Sequence, residues 1–294
     1  MMNDLTVGKT PLLPLKFGEK TVWGKAEFMN PSGSVKDRPI QNILKQAAKN
    51  GLLKVGGTVV EATSGNAGIS FAMFCAQKGY KCVIVMPSNM STERKKMLRM
   101  YGAELIEVEA GDFDRAIALR NQLAEENGWF NGNQFGSKWN LEAHRETTAV
   151  ELLYQCEYNC FYPSALVAGT GTGGTLMGAG LALKDYFPDM KLVAVEPEES
   201  AVMSGGSPGL HGIQGIGDGS KFLVELSEID KIITVHTEEA KKMAWELATE
   251  KGIFVGISAG ANVLASLRYM TETGQDNVLT ILCDRGDRYL SCFN

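Results

Sequence analysis

Short runs of β-branched and apolar residues alternate along this chain with segments whose apolar positions recur at helical spacing. The runs Thr58–Glu61, Cys82–Met86, Glu104–Val108, Ala165–Ala168, Lys191–Val195, Ile232–His236 and Val278–Leu282 predict strands. Ile40, Ile43, Leu44 and Ala47 fall at i, i+3, i+4 and i+7, which lays one apolar stripe along a helix that Gly51 ends. Phe113–Glu126, Glu146–Gln155 and Glu238–Lys251 carry the same helical pattern. Strands separated by helices predict βαβ units and a mostly parallel sheet, and near-continuous apolar runs suit strands covered on both faces. The expected class is α/β, with a division near residue 143 into domains of residues 1–143 and 144–294. Ser204–Lys221, rich in Gly and Ser, reads as a long loop of the kind that is mobile or functional.

Composition narrows the function. Of 294 residues 44% are hydrophobic and 21% charged, and 29 positive against 34 negative side chains leave a net charge of -5. No basic stripe is available to neutralise phosphates, so a nucleic-acid partner is not expected. The longest apolar runs, such as Val278–Cys283, fall far short of the roughly 20 residues of a membrane span. The opening Met-Met-Asn-Asp has neither the basic region nor the apolar core of a secretory signal, so the expected location is the cytoplasm. The six cysteines form no CxxC pair, and the Cys156-x3-Cys160 spacing has only His144 near it in sequence, so no metal is expected.

The 33 glycines carry more information, because many gather in turns. Three segments read as strand, small-residue turn, helix: Val59–Ala62 then Thr63–Gly68, Leu166–Ala168 then Gly169–Thr175, and Phe254–Ile257 then Ser258–Gly260. In open α/β sheets ligands bind beyond the carboxyl ends of strands, where such turns lie. In the second turn glycines let backbone N–H groups close on an anion, threonines add hydroxyl donors, and the following helix start adds partial positive charge. Counted from Gly171, the run Gly171-x-Gly173 continues into Thr175-Leu176 and does not complete a dinucleotide GxGxxG, and Gly8-Lys9-Thr10 has the ending of a P-loop but Asn3 in place of its first glycine. The first turn offers Thr63, Ser64 and Asn66, which suit either a substrate carboxylate or a simple N-cap. Any one of these turns is an ordinary glycine-rich connection; three in one chain point to a small phosphorylated ligand.

Asn30-Pro31-Ser32-Gly33-Ser34-Val35-Lys36-Asp37-Arg38-Pro39 resembles the lysine segment of the cysteine synthase (O-acetylserine sulfhydrylase) family of pyridoxal-phosphate enzymes. The resemblance runs in order through Gly8–Leu12, Thr63–Gly68, Met86-Pro87 with Ser91, Glu93 and Arg94, Asn133–Phe135, Gly171–Thr175, Gly215–Gly217, Gly256–Ser258 and Asp287–Leu290. The tail Cys283–Ser291 is most similar to B-type members. The resemblance implies two three-layer αβα domains of the fold type II architecture, with part of about residues 10–34 crossing to the other sheet. It implies pyridoxal 5'-phosphate held by Lys36 as a Schiff base, and Lys36 as the base for the substrate Cα proton. Gly171, Thr172, Gly173, Gly174 and Thr175 would hold the cofactor phosphate, Asn66 its ring hydroxyl oxygen, and Ser258 its ring nitrogen. Thr63, Ser64, Gly65, Ala67 and Gln134 would hold the substrate α-carboxylate, with Gly215 in the substrate loop. The implied reaction is β-replacement on a serine-type amino acid through an aminoacrylate: O-acetylserine plus sulfide gives cysteine. The family also implies a homodimer.

Two positions depart from the family pattern. Ala67 stands where a threonine is usual, which removes one hydroxyl from the carboxylate loop. Asp218, in Gly215-Ile216-Gly217-Asp218-Gly219, stands where the relatives usually have a small or apolar residue. Either it caps a turn, or it is catalytic: a carboxylate there would repel hydrosulfide and polarise water or bind an amino group. The second case implies an enzyme that consumes cysteine and releases hydrogen sulfide, with serine or a lanthionine-type amino acid as the product. A catalytically silent ligand-binding relative is the third reading, and Lys36 with Ser258 argue against it.

Overall fold

The computed structural model describes residues 5–63, 65–217 and 219–293. In chain order the strands are β1 (Leu12–Phe17), β2 (Lys20–Lys25), β3 (Thr58–Ala62), β4 (Lys81–Pro87), β5 (Glu104–Val108), β6 (Phe130–Asn131), β7 (Ala165–Gly169), β8 (Lys191–Pro197), β9 (Lys231–Val235) and β10 (Val278–Ile281). The helices are α1 (Asp37–Lys49), α2 (Asn66–Lys78), α3 (Thr92–Met100), α4 (Phe113–Asn127), α5 (Lys138–Ala143), α6 (Val150–Tyr158), α7 (Gly174–Lys184), α8 (Thr237–Lys251) and α9 (Ile257–Thr273). A π-helical stretch, His144–Ala149, joins α5 to α6. The chain forms two compact units. One runs from Lys36 to Asn140, and the other is made of the segments on either side of it.

In the Lys36–Asn140 unit four parallel strands lie in the order β5-β4-β3-β6. Val60 and Ala62 on β3 and Val83 and Val85 on β4, spaced two apart as the pleat requires, pack with Ala116 of α4. The apolar stripe of α1 is buried as its spacing predicts, and Gly51, at φ +71°, lies just past the helix end. Helix α2 has no polar face over its first turns: every residue from Ala67 to Cys75 is buried. A helix apolar all round belongs in an interior, and this one begins directly at the Thr63–Gly68 turn.

The other unit is a six-stranded sheet in the order β1-β2-β10-β7-β8-β9, parallel except for the β1–β2 hairpin. Alternate residues of β7 serve opposite faces. Ala165 and Val167 belong to one core with Val263 and Ala265 of α9, and Leu166 and Ala168 to another with Leu176 and Ala179 of α7. Both units are therefore helix-covered, mostly parallel sheets. Among the described residues no helix is long and apolar enough to cross a membrane.

The seven predicted strands all form, within one or two residues of the predicted ends. The pattern did not show β1, β2 or β6. β1 contains Pro14, which an edge strand tolerates because its missing N–H faces outward, and β6 is only two residues long. The third turn differs from the strand-turn-helix reading. Val255 makes only an isolated bridge to Arg285, and α9 starts at Ile257. The chain leaves α8 at Gly252 (φ +68°) and enters α9 at Ile257, and α9 packs back against α8 at Gly260. A Cβ on Gly260 would lie 2.2 Å from the Ala240 carbonyl oxygen. The segment Ser204–Lys221 holds neither helix nor strand among its described residues.

Candidate functional site

The Lys36–Asn140 unit carries Lys36, Thr63, Gly65, Asn66, Ala67 and Gln134; the other unit carries Gly171–Thr175, Gly215 and Ser258. Ser64 and Asp218 lie outside the described residues.

Lys36 caps α1 with helical dihedrals (φ −69°, ψ −16°), and its carbonyl accepts from the Ile40 N–H at 3.1 Å. Asp37, the first residue of the helix, is fully buried. The Ser70 hydroxyl on α2 lies between Asp37 Oδ1 (2.5 Å) and the Asn66 carbonyl oxygen (3.2 Å). One hydroxyl thus ties the start of α1, which follows Lys36, to the first turn of α2, which Asn66 begins. Thr63 Oγ1 accepts from the Gly65 N–H at 3.1 Å, so part of the threonine's bonding capacity shapes its own turn. Gly65 is required by space: a Cβ there would lie 2.6 Å from Nε of Arg94, a buried α3 residue packed against the turn. Gly68 is closed in the same way by Thr63 Cγ2 at 2.8 Å.

Gln134 is buried, and its backbone is held at both ends. Its N–H donates to Glu61 Oε2 (3.1 Å), and its carbonyl accepts from Asn140 Nδ2 (2.9 Å). Glu61 Oε1 accepts from the Ala62 N–H (2.8 Å) and from Arg120 Nη1 (3.0 Å), both Glu61 and Arg120 being buried. Burial raises the Glu61 pKa, while the Arg120 charge and the two N–H donors oppose that rise. The sequence reading did not single out Glu61 or Arg120. The available signal was a lone carboxylate in the otherwise apolar strand Val59–Ala62.

In the other unit the turn after β7 is built mostly from backbone. Gly173 sits at φ +84°, and a Cβ there would lie 2.6 Å from Val224 Cγ2 and 2.9 Å from the Val224 nitrogen. Thr172 Oγ1 accepts from the Gly174 N–H at 3.2 Å, and the Thr172 carbonyl accepts from the Leu223 N–H at 3.0 Å. Gly174 and Thr175 form the first turn of α7, where N–H groups have no partner within the helix. Thr175 Oγ1 lies 3.2 Å from Nε2 of His144, whose Nδ1 lies 2.9 Å from Thr148 Oγ1. Gly178 lets α7 settle on α5 and this π-helical stretch: a Cβ would be 2.5 Å from the Leu141 carbonyl oxygen and 2.9 Å from His144 Cβ.

Ser258 is buried in the first turn of α9, and Asn262, one turn on, locks that helix to the same turn. Asn262 Oδ1 accepts from the Gly169 N–H (2.7 Å), and its Nδ2 donates to the Ile281 carbonyl (2.8 Å). Sequence reasoning did not find Asn262, because an asparagine inside a helical pattern carries no signal of its partners. Gly215 has φ +95°; its neighbour Ile216 is buried against Gly169, and the Gly217 N–H donates to the Thr170 carbonyl at 3.0 Å. The stretch Pro31–Val35, which precedes Lys36, is fastened to the tail. The Val35 N–H donates to the Cys283 carbonyl (2.8 Å), Arg285 N–H to the Gly33 carbonyl (3.2 Å), and the Arg288 guanidinium to the Ser32 carbonyl.

These residues fit pyridoxal phosphate. A phosphate monoester needs convergent donors and no nearby carboxylate, and Gly169–Thr175 supplies N–H and hydroxyl donors with no acidic residue among them. The glycine at positive φ keeps the backbone close enough to close on an anion.

The family described as pyridoxal-phosphate dependent enzymes matches residues 4–284. A cysteine synthase from Staphylococcus aureus is 43% identical over 292 residues, covering 97% of this chain and 94% of that protein. The structure of an O-ureido-L-serine synthase superposes with a TM-score of 0.92 at 38% identity, covering 97% of this chain and 92% of the other. A hydrogen sulfide-producing enzyme from Fusobacterium nucleatum gives a TM-score of 0.92 at 37% identity, over 97% of this chain and 88% of that one. With the match spanning almost its whole length, the chain belongs to the pyridoxal-phosphate dependent enzymes, and its chemistry is that of the cysteine synthase-like β-replacement enzymes among them.

Proposed function

We infer that Lys36 is the lysine to which pyridoxal phosphate attaches, and that the reaction is replacement of the acetate of O-acetyl-L-serine by sulfide. The observation that carries this reading is the Asp37–Ser70 bond of 2.5 Å, which holds the start of the Lys36 helix against the helix that Asn66 begins. Bound pyridoxal phosphate supplies an electron sink that acidifies the substrate Cα and lets a group on Cβ depart. Lys36 takes the Cα proton at Nζ, acetate leaves Cβ with the bonding pair, sulfide forms the new C–S bond, and Lys36 returns the proton to Cα. Thr63, Ser64 and Gln134, with backbone help at Gly65 and Ala67, hold the substrate carboxylate, and Gly215 belongs to the loop beside the leaving group. Asn66 takes the ring hydroxyl oxygen. The Gly171–Thr175 turn anchors the phosphate. Ser258 faces the ring nitrogen, and a hydroxyl there leaves that nitrogen largely unprotonated, which favours elimination at Cβ.

Asp218 supports a second reading, since its sequence position departs from the usual small residue and a similar structure is that of a hydrogen sulfide-producing enzyme. In that case cysteine is the donor and sulfide the leaving group. One panel separates the two: O-acetylserine with sulfide against cysteine alone. Cysteine formation in the first arm, with no sulfide from the second, sustains cysteine synthesis. Sulfide released from cysteine, and lost in Asp218→Ala, sustains the alternative. Lys36→Ala is expected to abolish turnover in both arms and the visible absorbance of the lysine-bound cofactor. A cytoplasmic homodimer completes the reading, and sedimentation of the purified chain tests the dimer.

A further inference from the structure

On the reading above, Gln134 and the Thr63–Ala67 turn hold the substrate carboxylate, and the inference here rests on that reading. These two pieces stand far apart in sequence, and one buried carboxylate joins them. Glu61 Oε1 accepts from the N–H of Ala62, the residue before Thr63, and Oε2 accepts from the Gln134 N–H. Gly132 presses its loop onto the same group: a Cβ there would lie 2.5 Å from Phe71 Cζ and 2.8 Å from Glu61 Oε2. Asn133, between Gly132 and Gln134, is held at φ +40°, a region that non-glycine residues seldom adopt. Arg120 balances the charge from α4 at 3.0 Å. A buried ion pair adds little stability over apolar residues of similar volume, so stability alone is a weak reason to put this pair in an apolar strand. Its bonds instead run to the two backbone segments that carry the carboxylate-holding side chains.

We propose that Glu61, charge-balanced by Arg120, is a positioning residue that sets Gln134 and the Thr63 turn in register, and that the enzyme's preference for a substrate α-carboxylate depends on it. Glu61 touches neither substrate nor cofactor; it acts through the two loops.

The test uses the holoenzyme and two substrates, O-acetylserine and its α-carboxamide. Glu61→Gln/Arg120→Gln removes both charges together, so that neither is left buried alone. With cofactor content checked by absorbance, it is expected to cut the acid-over-amide preference in kcat/KM by about tenfold to a hundredfold, chiefly through KM for the acid. Arg120→Lys, which keeps the charge and disturbs folding least, is expected to lose only a fraction of that preference. A merely structural role lowers both substrates together and leaves their ratio unchanged, which would overturn the proposal in either variant. Gln134→Ala, run alongside, separates the two levels. An unchanged preference there sinks the carboxylate-site reading itself, whereas a loss there with none in the pair variants sinks the inference alone.

Discussion

The turn after β3 and the turn after β7 hold equivalent places, each between the carboxyl end of a parallel strand and the start of a helix, yet they are made of different material. The β7 turn is backbone: glycines, one at φ +84°, with threonine hydroxyls and the N-terminus of α7. The β3 turn is shaped by side chains with buried charge, Arg94 against Gly65 and the Glu61–Arg120 pair behind Ala62 and Gln134. The difference fits the two groups they are proposed to hold. A phosphate that stays bound is served by fixed N–H groups. A carboxylate that comes and goes needs donors that are aimed from behind.

Breaking the charged support is expected to have the largest effect. Arg120→Ala leaves Glu61 buried without its counter-charge, and urea denaturation should show a loss of about 3–5 kcal/mol. The matching support of the other turn is neutral: Asn262→Ala strands the Gly169 N–H and the Ile281 carbonyl, for a loss of about 1–3 kcal/mol by the same method. If the two losses are equal, the contrast fails.

Glycine substitutions sharpen it further. Gly173→Ala meets both an unfavourable φ and Val224, so a melting curve should show about 1–3 kcal/mol of destabilisation and a cofactor titration a weaker affinity. Gly65→Ala puts a Cβ 2.6 Å from Nε of the buried Arg94 and acts by displacing it. It should raise KM for the amino acid and leave cofactor affinity unchanged.

The smallest effect concerns Asp230, which braces the far end of α7 and the start of β8. Burial pushes its carboxyl up, but bonds from Lys184 and the Leu192 N–H and the Lys184 charge outweigh that and hold the pKa below the ordinary value. A carboxyl lowered in the folded state stabilises above its unfolded pKa of 3.8, and that stabilisation is lost as pH falls through the folded value. Asp230→Asn should therefore flatten the acid limb of the stability curve below about pH 4, by no more than about 1 kcal/mol.

The same contrast explains what could be read in advance. The turn residues themselves leave a local trace, and Gly169–Thr175 and Thr63–Gly68 are visible as runs of glycine and hydroxyl residues after apolar strands. Side-chain supports leave little, and nothing that names their partners. Arg120 lies 59 residues from the carboxylate it balances, and Asn262 lies 93 residues from the Gly169 it holds. Apolar runs revealed the seven predicted strands, and for β3, β4, β7, β8 and β10, which lie inside their sheets, burial on both faces forces that composition. The β1–β2 hairpin was hidden because an edge strand tolerates proline, and Phe254–Ile257 misled because a buried helix start is as apolar as a strand.

The strand order also bears on how the protein is made. β2 pairs with β10, Val22 opposite Val278, so the N-terminal hairpin leaves the ribosome long before its partner exists. The contiguous Lys36–Asn140 segment can close while the hairpin waits. Until Val278 has been synthesised, one edge of β2 stays open as a template for other strands. Prematurely terminated chains should therefore be sticky, and the nascent hairpin is where a chaperone has most to protect.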